Sequence, residues 1–136
     1  MKRREFIKHA GIISLASYMP ISNATIQDIV ALSLDGDEII LDRVDTLDFM
    51  SNFQGSVITK GHYDYDTARL VWNGVWDKHP ALIAYCESAS DIQKAVNFSR
   101  EQNLLTAVRG GGHSISGKST CDGGIIIDLS RMRKTS

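Results

Sequence analysis

The chain has 136 residues, with 15 Lys and Arg against 16 Asp and Glu and a net charge of −1. Beyond its first two dozen residues no run is long and apolar enough to anchor it in a bilayer, which takes roughly 20 apolar residues. Its two cysteines, Cys86 and Cys121, have no metal spacing and make no disulfide framework.

Residues 1–24 carry Lys2-Arg3-Arg4-Glu5-Phe6-Ile7-Lys8, then a weakly apolar stretch over residues 10–19 and small residues up to Ala24. The segment resembles a twin-arginine export signal, with Lys2 in place of the usual Ser or Thr. That resemblance implies export of a folded protein to the periplasm or outside the cell, with cleavage after Ala24. The competing expectation is a basic amphipathic first helix. Cleavage leaves 112 residues with 11 basic and 15 acidic side chains, a net charge of −4. Such a balance disfavours nucleic acid or an anionic membrane as a partner.

Residues 25–54 read as a helical lead-in. Ile26, Ile29, Val30 and Leu34 recur at helical spacing, and Gly36 stops the helix. Asp35-Gly36-Asp37-Glu38 lacks the remaining spacing of a calcium loop and reads as a solvated turn. The pattern from 38 to 53 is mixed and assigns no element.

From residue 55 the signals are clearer. Val57 and Ile58 build a short strand, and residues 62–69 form a turn into a helical piece ending near Trp72-Asn73. His62 and His79 have no partners at metal spacing and read as surface residues. Tyr63, Tyr65, Trp72 and Trp76 read as core packing, with stacking on a ligand ring as the alternative. Ala81-Leu82-Ile83-Ala84-Tyr85-Cys86 is an apolar run of strand length. Ser90 and Gln93 form a capping-box pattern for a helix that Asn103 closes in the left-handed conformation. Thr106-Ala107-Val108 returns as a strand. This β–α–β unit delivers the chain to Arg109-Gly110-Gly111-Gly112-His113-Ser114, at the carboxyl end of a strand, where open α/β sheets bind ligands.

Three glycines in a row let a ligand approach the backbone, and their N–H groups suit an anion-binding nest. His113 then sets an imidazole at its lip. These residues, with Val57-Ile58-Thr59, Tyr65-Asp66-Thr67-Ala68-Arg69, Val71-Trp72-Asn73, Pro80-Ala81-Leu82-Ile83, Ser90-Asp91-Ile92, Gly117, Asp122-Gly123-Gly124 and Ile127-Asp128-Leu129-Ser130, recur in family order. The stretch from Gly55 to Met132 resembles the berberine-bridge-enzyme-like oxidoreductases, whose FAD-binding domain is of the p-cresol-methylhydroxylase type. The resemblance implies an α+β fold, with residues 55–136 as the N-terminal part of that domain. It also implies FAD bound by Arg109, Gly110, Gly111, Gly112, His113, Ser114 and Gly117. In the family the turn holds the pyrophosphate, and the histidine matching His113 bonds covalently to the flavin 8α-methyl carbon. The flavin takes hydride from a small organic substrate, and oxygen or another acceptor takes the electrons. Family substrate bases come largely from a later domain, so no residue of this chain is assigned as catalytic. The chain stops just after a core strand, so the expectation is a fragment inactive by itself.

Gly112-His113-Ser114-Ile115-Ser116-Gly117-Lys118-Ser119 also fits the P-loop pattern, with Lys118 and Ser119 on a nucleoside triphosphate. That function needs a helix starting at Lys118, and Gly123-Gly124 argue against one. Ile125-Ile126-Ile127-Asp128 resembles a Walker B strand but arrives too early for a helical crossover to a paired parallel strand. Arg109 reads either as a cation near the pyrophosphate or as a surface residue at a strand end. Ser114 is a candidate hydrogen-bonding group, Lys118 faces solvent, and Cys86 and Cys121 read as unpaired thiols, with one disulfide as the alternative.

Overall fold

A computed structural model describes residues 27–132. The expected leader, residues 1–24, lies outside them. The described chain runs β1 (Val30–Leu32), β2 (Glu38–Ile40), α1 (Arg43–Ser51), β3 (Ser56–Thr59), α2 (Tyr65–Ala68), β4 (Leu82–Tyr85), α3 (Ala89–Glu101), β5 (Thr106–Arg109) and β6 (Ile125–Asp128). Strands and helices are mixed, as an α+β fold requires.

Of the helix expected over residues 25–34, the described part, from residue 27, does not form. β1 and β2 pair antiparallel as a hairpin, with Val30 opposite Ile40 and Leu32 opposite Glu38. Asp35-Gly36 is its turn: the Gly36 N–H donates to the Ser33 carbonyl at 3.0 Å and the Ser33 N–H to the Asp37 carbonyl at 2.9 Å. An Asp-Gly dipeptide between apolar runs is a hairpin signal, and it overrides four apolar residues that happen to fall at helical spacing. Burial agrees, since Ala31 is buried while Val30 and Leu34 are exposed. The unassigned stretch holds α1, capped where the Asp42 carboxylate accepts the Asp45 N–H.

The main sheet has the order β3-β4-β6-β5, with β3 antiparallel and the other three strands parallel. β4 and β6 are its two inner strands, and Ile125, Ile126 and Ile127 of β6 are all buried. Both faces of β4 and β6 are covered, so these strands are continuously apolar rather than alternating. On one face Leu82, Ala84, Ile125 and Ile127 pack with Phe49, Phe53, Ala95 and Phe98. Phe49 stacks on Phe98 with centroids 4.4 Å apart, joining α1 to α3. On the other face lie Ile58, Tyr65, Ile83, Ala107, Cys121 and Ile126. Tyr65 donates its hydroxyl to the Pro80 carbonyl at 2.7 Å, and burial pushes that phenol up to about 12.

The β–α–β unit forms, but β4 and β5 are not neighbours, because β6 inserts between them. β6 pairs in parallel with β5 after a connection, residues 110–124, that contains no helix. The expectation that it arrives too early is therefore corrected. A four-residue strand spans roughly 13 Å, which an irregular connection of this length returns across easily.

α3 is capped two residues earlier than the capping-box pattern suggests. The Ser88 hydroxyl accepts the Asp91 N–H at 3.2 Å, and Asn103 follows at φ 54°. The Asp91 side chain also ties this helix to the segment before β3. Its fully buried carboxylate accepts N–H bonds from Gln54, Gly55 and Glu87 at 2.9–3.0 Å. Burial opposes its ionisation, but these three bonds prevail and hold the carboxyl below its ordinary range. A depressed folded-state value means stability present above the unfolded value and lost as pH falls through the folded one. Asp91→Ala should cost about 2–4 kcal/mol by urea denaturation at neutral pH, since buried donors lose their acceptor. The difference between wild type and variant should shrink on acidification below about pH 4.

Candidate functional site: the glycine loop and the strap that crosses it

Residues 109–117 leave the carboxyl end of β5 and run along the molecular surface. Among the described residues, the backbone N–H groups of Gly110, Gly111, Gly112, His113, Ser114, Ile115 and Ser116 donate to nothing. The carbonyls are treated differently: Gly112 accepts the Trp72 N–H at 3.1 Å, and Ile115 accepts the Trp76 indole N–H at 2.9 Å. A run of free donors beside tethered carbonyls leaves this loop with an excess of positive dipole, as an anion-binding nest requires. Gly112 sits at φ +72°, where a side chain would be strained.

The tethers come from residues 70–76. The helix expected to continue to Trp72-Asn73 stops at Ala68, and the chain beyond crosses the glycine loop as a strap. Arg69 anchors its start by pairing with Asp66 at 3.1 Å and with Asp77. Trp76 packs on Gly117, where an added Cβ would lie 2.5 Å from the indole ring. The aromatic group is therefore not simply core. Tyr65 is buried, whereas Tyr63 and Trp72 are 89% and 77% exposed.

His113 is exposed, and its ring stacks on Trp72 with centroids 5.1 Å apart and planes 20° from parallel. Gly111 permits that placement, because a Cβ there would meet His113 Cδ2 at 2.6 Å. Ser114 Oγ lies 3.2 Å from Ser116 Oγ and accepts the Lys118 N–H at 3.3 Å. Gly117 is one of the expected ligand-binding residues, but its N–H points at the Ser114 carbonyl at 3.4 Å, so it shapes the turn rather than offering a donor.

Arg109 corrects the expectation of a surface arginine. Its side chain is buried, with Nε 2.5 Å from Asp128 Oδ2 and Nη2 3.3 Å from the Tyr85 hydroxyl. Its Nη1 has no partner, nor do the buried hydroxyls of Ser119 and Thr120 in the same connection. Orphaned buried donors on both sides of the glycine turn are the kind of groups an anionic ligand satisfies. The Asp128 partner was not singled out in the sequence, although a carboxylate ending an all-isoleucine strand is a visible signal.

Other candidates fall away from the loop. His62 stacks on Tyr63 and accepts the Asp64 N–H through Nδ1. His79 donates its backbone N–H to Asp122. No cluster of metal ligands occurs among the described residues. Cys86 and Cys121 are free and buried, and burial pushes both thiols up to about 11. The P-loop alternative lacks its helix: Lys118 to Gly124 form turns, and Ser119 is buried.

The donor run, the glycine close approach and the exposed imidazole fit a dinucleotide pyrophosphate with a ring system beside His113. Comparison with known proteins points to FAD as the class of ligand. Residues 80–136 match a family model described as an FAD binding domain. The chain is similar to (R)-6-hydroxynicotine oxidase of Paenarthrobacter nicotinovorans, 40% identical over 81 residues, covering 60% of this chain and 18% of the relative. It is also similar to the FAD-linked oxidoreductase hasG of Aspergillus fumigatus, 43% identical over 89 residues, covering 64% and 19%. Among solved structures it resembles 6-hydroxy-D-nicotine oxidase of Arthrobacter nicotinovorans with a TM-score of 0.59 and 38% identity, over 61% of this chain and 18% of that one. A berberine-bridge-enzyme-like protein of Physcomitrella patens shares the fold, with a TM-score of 0.61, 24% identity, and coverage of 66% and 20%. The chain thus spans about a fifth of the length of the relatives it matches.

Asp128→Asn should cost about 3–5 kcal/mol in urea denaturation, because it strands the buried Arg109 charge. The double variant Arg109→Met with Asp128→Leu should be closer to wild type, since it removes both charges.

Proposed function

We propose that the chain is part of an FAD-linked oxidoreductase, that the loop of residues 109–117 holds the FAD pyrophosphate and that His113 carries the flavin covalently through its 8α-methyl, a reading supported by the FAD-binding family model and by the FAD-linked relatives. The observation that carries this is the uninterrupted row of unpartnered N–H groups over residues 110–116, with the exposed imidazole of His113 within it. When bound, the isoalloxazine ring supplies hydride acceptance from a small organic substrate, with oxygen or another acceptor taking the electrons.

The chain's own residues bind and orient. The free N–H groups of residues 110–116 are the donors that would hold the phosphate oxygens, where an oxyanion gains charge-assisted hydrogen bonds. Trp76 and Gly117 fix the loop from the other side, so its donors are aligned before the ligand arrives. The Arg109 guanidinium stays paired with Asp128 through Nε, and its unpartnered Nη1 is the donor it would offer to the ligand. A covalent imidazole link retains the cofactor outside the cytoplasm. A small organic molecule as the substrate of the whole protein is supported by the name of one relative, a hydroxynicotine oxidase.

Protein extended to a full-length domain should retain yellow flavin after acid precipitation and washing. His113→Ala should lose all acid-stable flavin while keeping FAD that dialysis removes. Complete release of flavin from the acid-treated wild type would overturn the covalent assignment.

We also propose export through a twin-arginine route, motivated by Lys2-Arg3-Arg4-Glu5-Phe6. Expressed in a bacterium with that route, the full chain should appear in the periplasmic fraction. Replacing Arg3 and Arg4 with lysine should leave it in the cytoplasm; equal periplasmic recovery of both would refute the assignment.

A further inference from the structure

The strap does more than tether the loop. Trp72 is 77% exposed, so burial of its indole in a core does not explain its position. Its backbone N–H is fixed to the Gly112 carbonyl, one residue before His113, and its ring lies nearly parallel to the imidazole. Gly111 leaves that ring the space it occupies. The His113 side chain makes no hydrogen bond among the described residues, so this stack is what selects its rotamer.

We propose that Trp72 is a positioning residue for His113: its indole holds the imidazole plane in the orientation needed for attachment of the flavin. The inference rests on the covalent assignment above and deepens it. In the net reaction one imidazole N–H and one 8α-methyl C–H are replaced by a single N–C bond. The two protons and two electrons released reduce one dioxygen to hydrogen peroxide. Bond formation requires the imidazole nitrogen to meet the methyl carbon along its lone pair, and a freely rotating exposed ring meets that condition only a fraction of the time. Stacking against an aromatic face removes that freedom without withdrawing a nitrogen lone pair into a hydrogen bond.

The test compares wild type, Trp72→Leu and Trp72→Phe, each in protein extended to a full-length domain, by two measurements. In flavin-free protein, the His113 ring protons should be shifted upfield by the indole, and Trp72→Leu should abolish that shift. With added FAD, Trp72→Leu should bind the cofactor with unchanged Kd but form acid-stable flavin about tenfold more slowly. Trp72→Phe, which retains an aromatic face, should recover most of the rate. Wild-type attachment rate in Trp72→Leu overturns the proposal, as does a loss of FAD affinity that accounts for the whole slowing. Absence of the upfield shift in the wild type also overturns it. If that shift is present while wild-type protein forms no acid-stable flavin, the covalent assignment has failed and the positioning role falls with it.

Discussion

The ion pair between Arg109 and Asp128 closes the structure around its candidate site. Arg109 is the last residue of β5 and Asp128 the last of β6, directly opposite one another in the parallel register. Between them the chain leaves the sheet, makes the glycine loop and returns. The pair therefore clamps the exit of the loop to the end of the strand that follows it. Asp128 also accepts the Ser130 N–H at 2.8 Å, and Arg109 reaches toward Tyr85 on β4. Three parallel strands are thus joined at their carboxyl ends, on the same side of the sheet as Tyr65 and Cys121. A buried pair of this kind is weak evidence of net stabilisation, because desolvation offsets much of the attraction. Its value here is in register, since a shift of β5 against β6 would separate the charges inside a low-dielectric interior.

On that platform the loop's hydrogen bonds are divided between its two kinds of backbone group. Carbonyls at Gly112 and Ile115 are engaged by the strap, while the neighbouring N–H groups are left unengaged. An isolated glycine-rich turn would sample many conformations at little cost. Here the strap, itself anchored by Arg69 to Asp66 and Asp77, reduces that freedom. Preorganised donors cost less to align when an anion arrives.

The hairpin β1–β2 supports the same loop from its far end. The Leu32 N–H donates to the Gly123 carbonyl at 2.7 Å, and the Leu105 N–H donates back to the Leu32 carbonyl at 3.0 Å. Gly123 has Leu32 packed against it so closely that a Cβ would lie 2.6 Å from Leu32 Cγ. The first element of the described chain thereby fixes where the connection re-enters the sheet. The lead-in is an integral part of the domain rather than an appendage to it.

Local chemistry by itself determined much of this protein. The apolar runs at 82–85 and 125–128 are strands because β-branched and apolar residues covered on both faces need no alternation. Asn103 closes α3 because it tolerates the left-handed conformation, and three glycines before a histidine mark the turn of the candidate site. Other features required the tertiary structure. Whether Ile29 and Val30 belong to a helix or a strand depended on the hairpin partner at 38–40, because a few apolar residues satisfy either period. The insertion of β6 between β4 and β5 leaves no local trace, since strand order is set by long-range packing. Of the two readings of Arg109, the surface cation is replaced by a buried partner because Asp128, 19 residues away, lies opposite it in the sheet. Trp72 left the core for the same reason: only the folded chain brings its exposed ring onto His113. Each segment's own residues set what it prefers within a turn or two of itself, and the meeting of distant segments decides which preference survives.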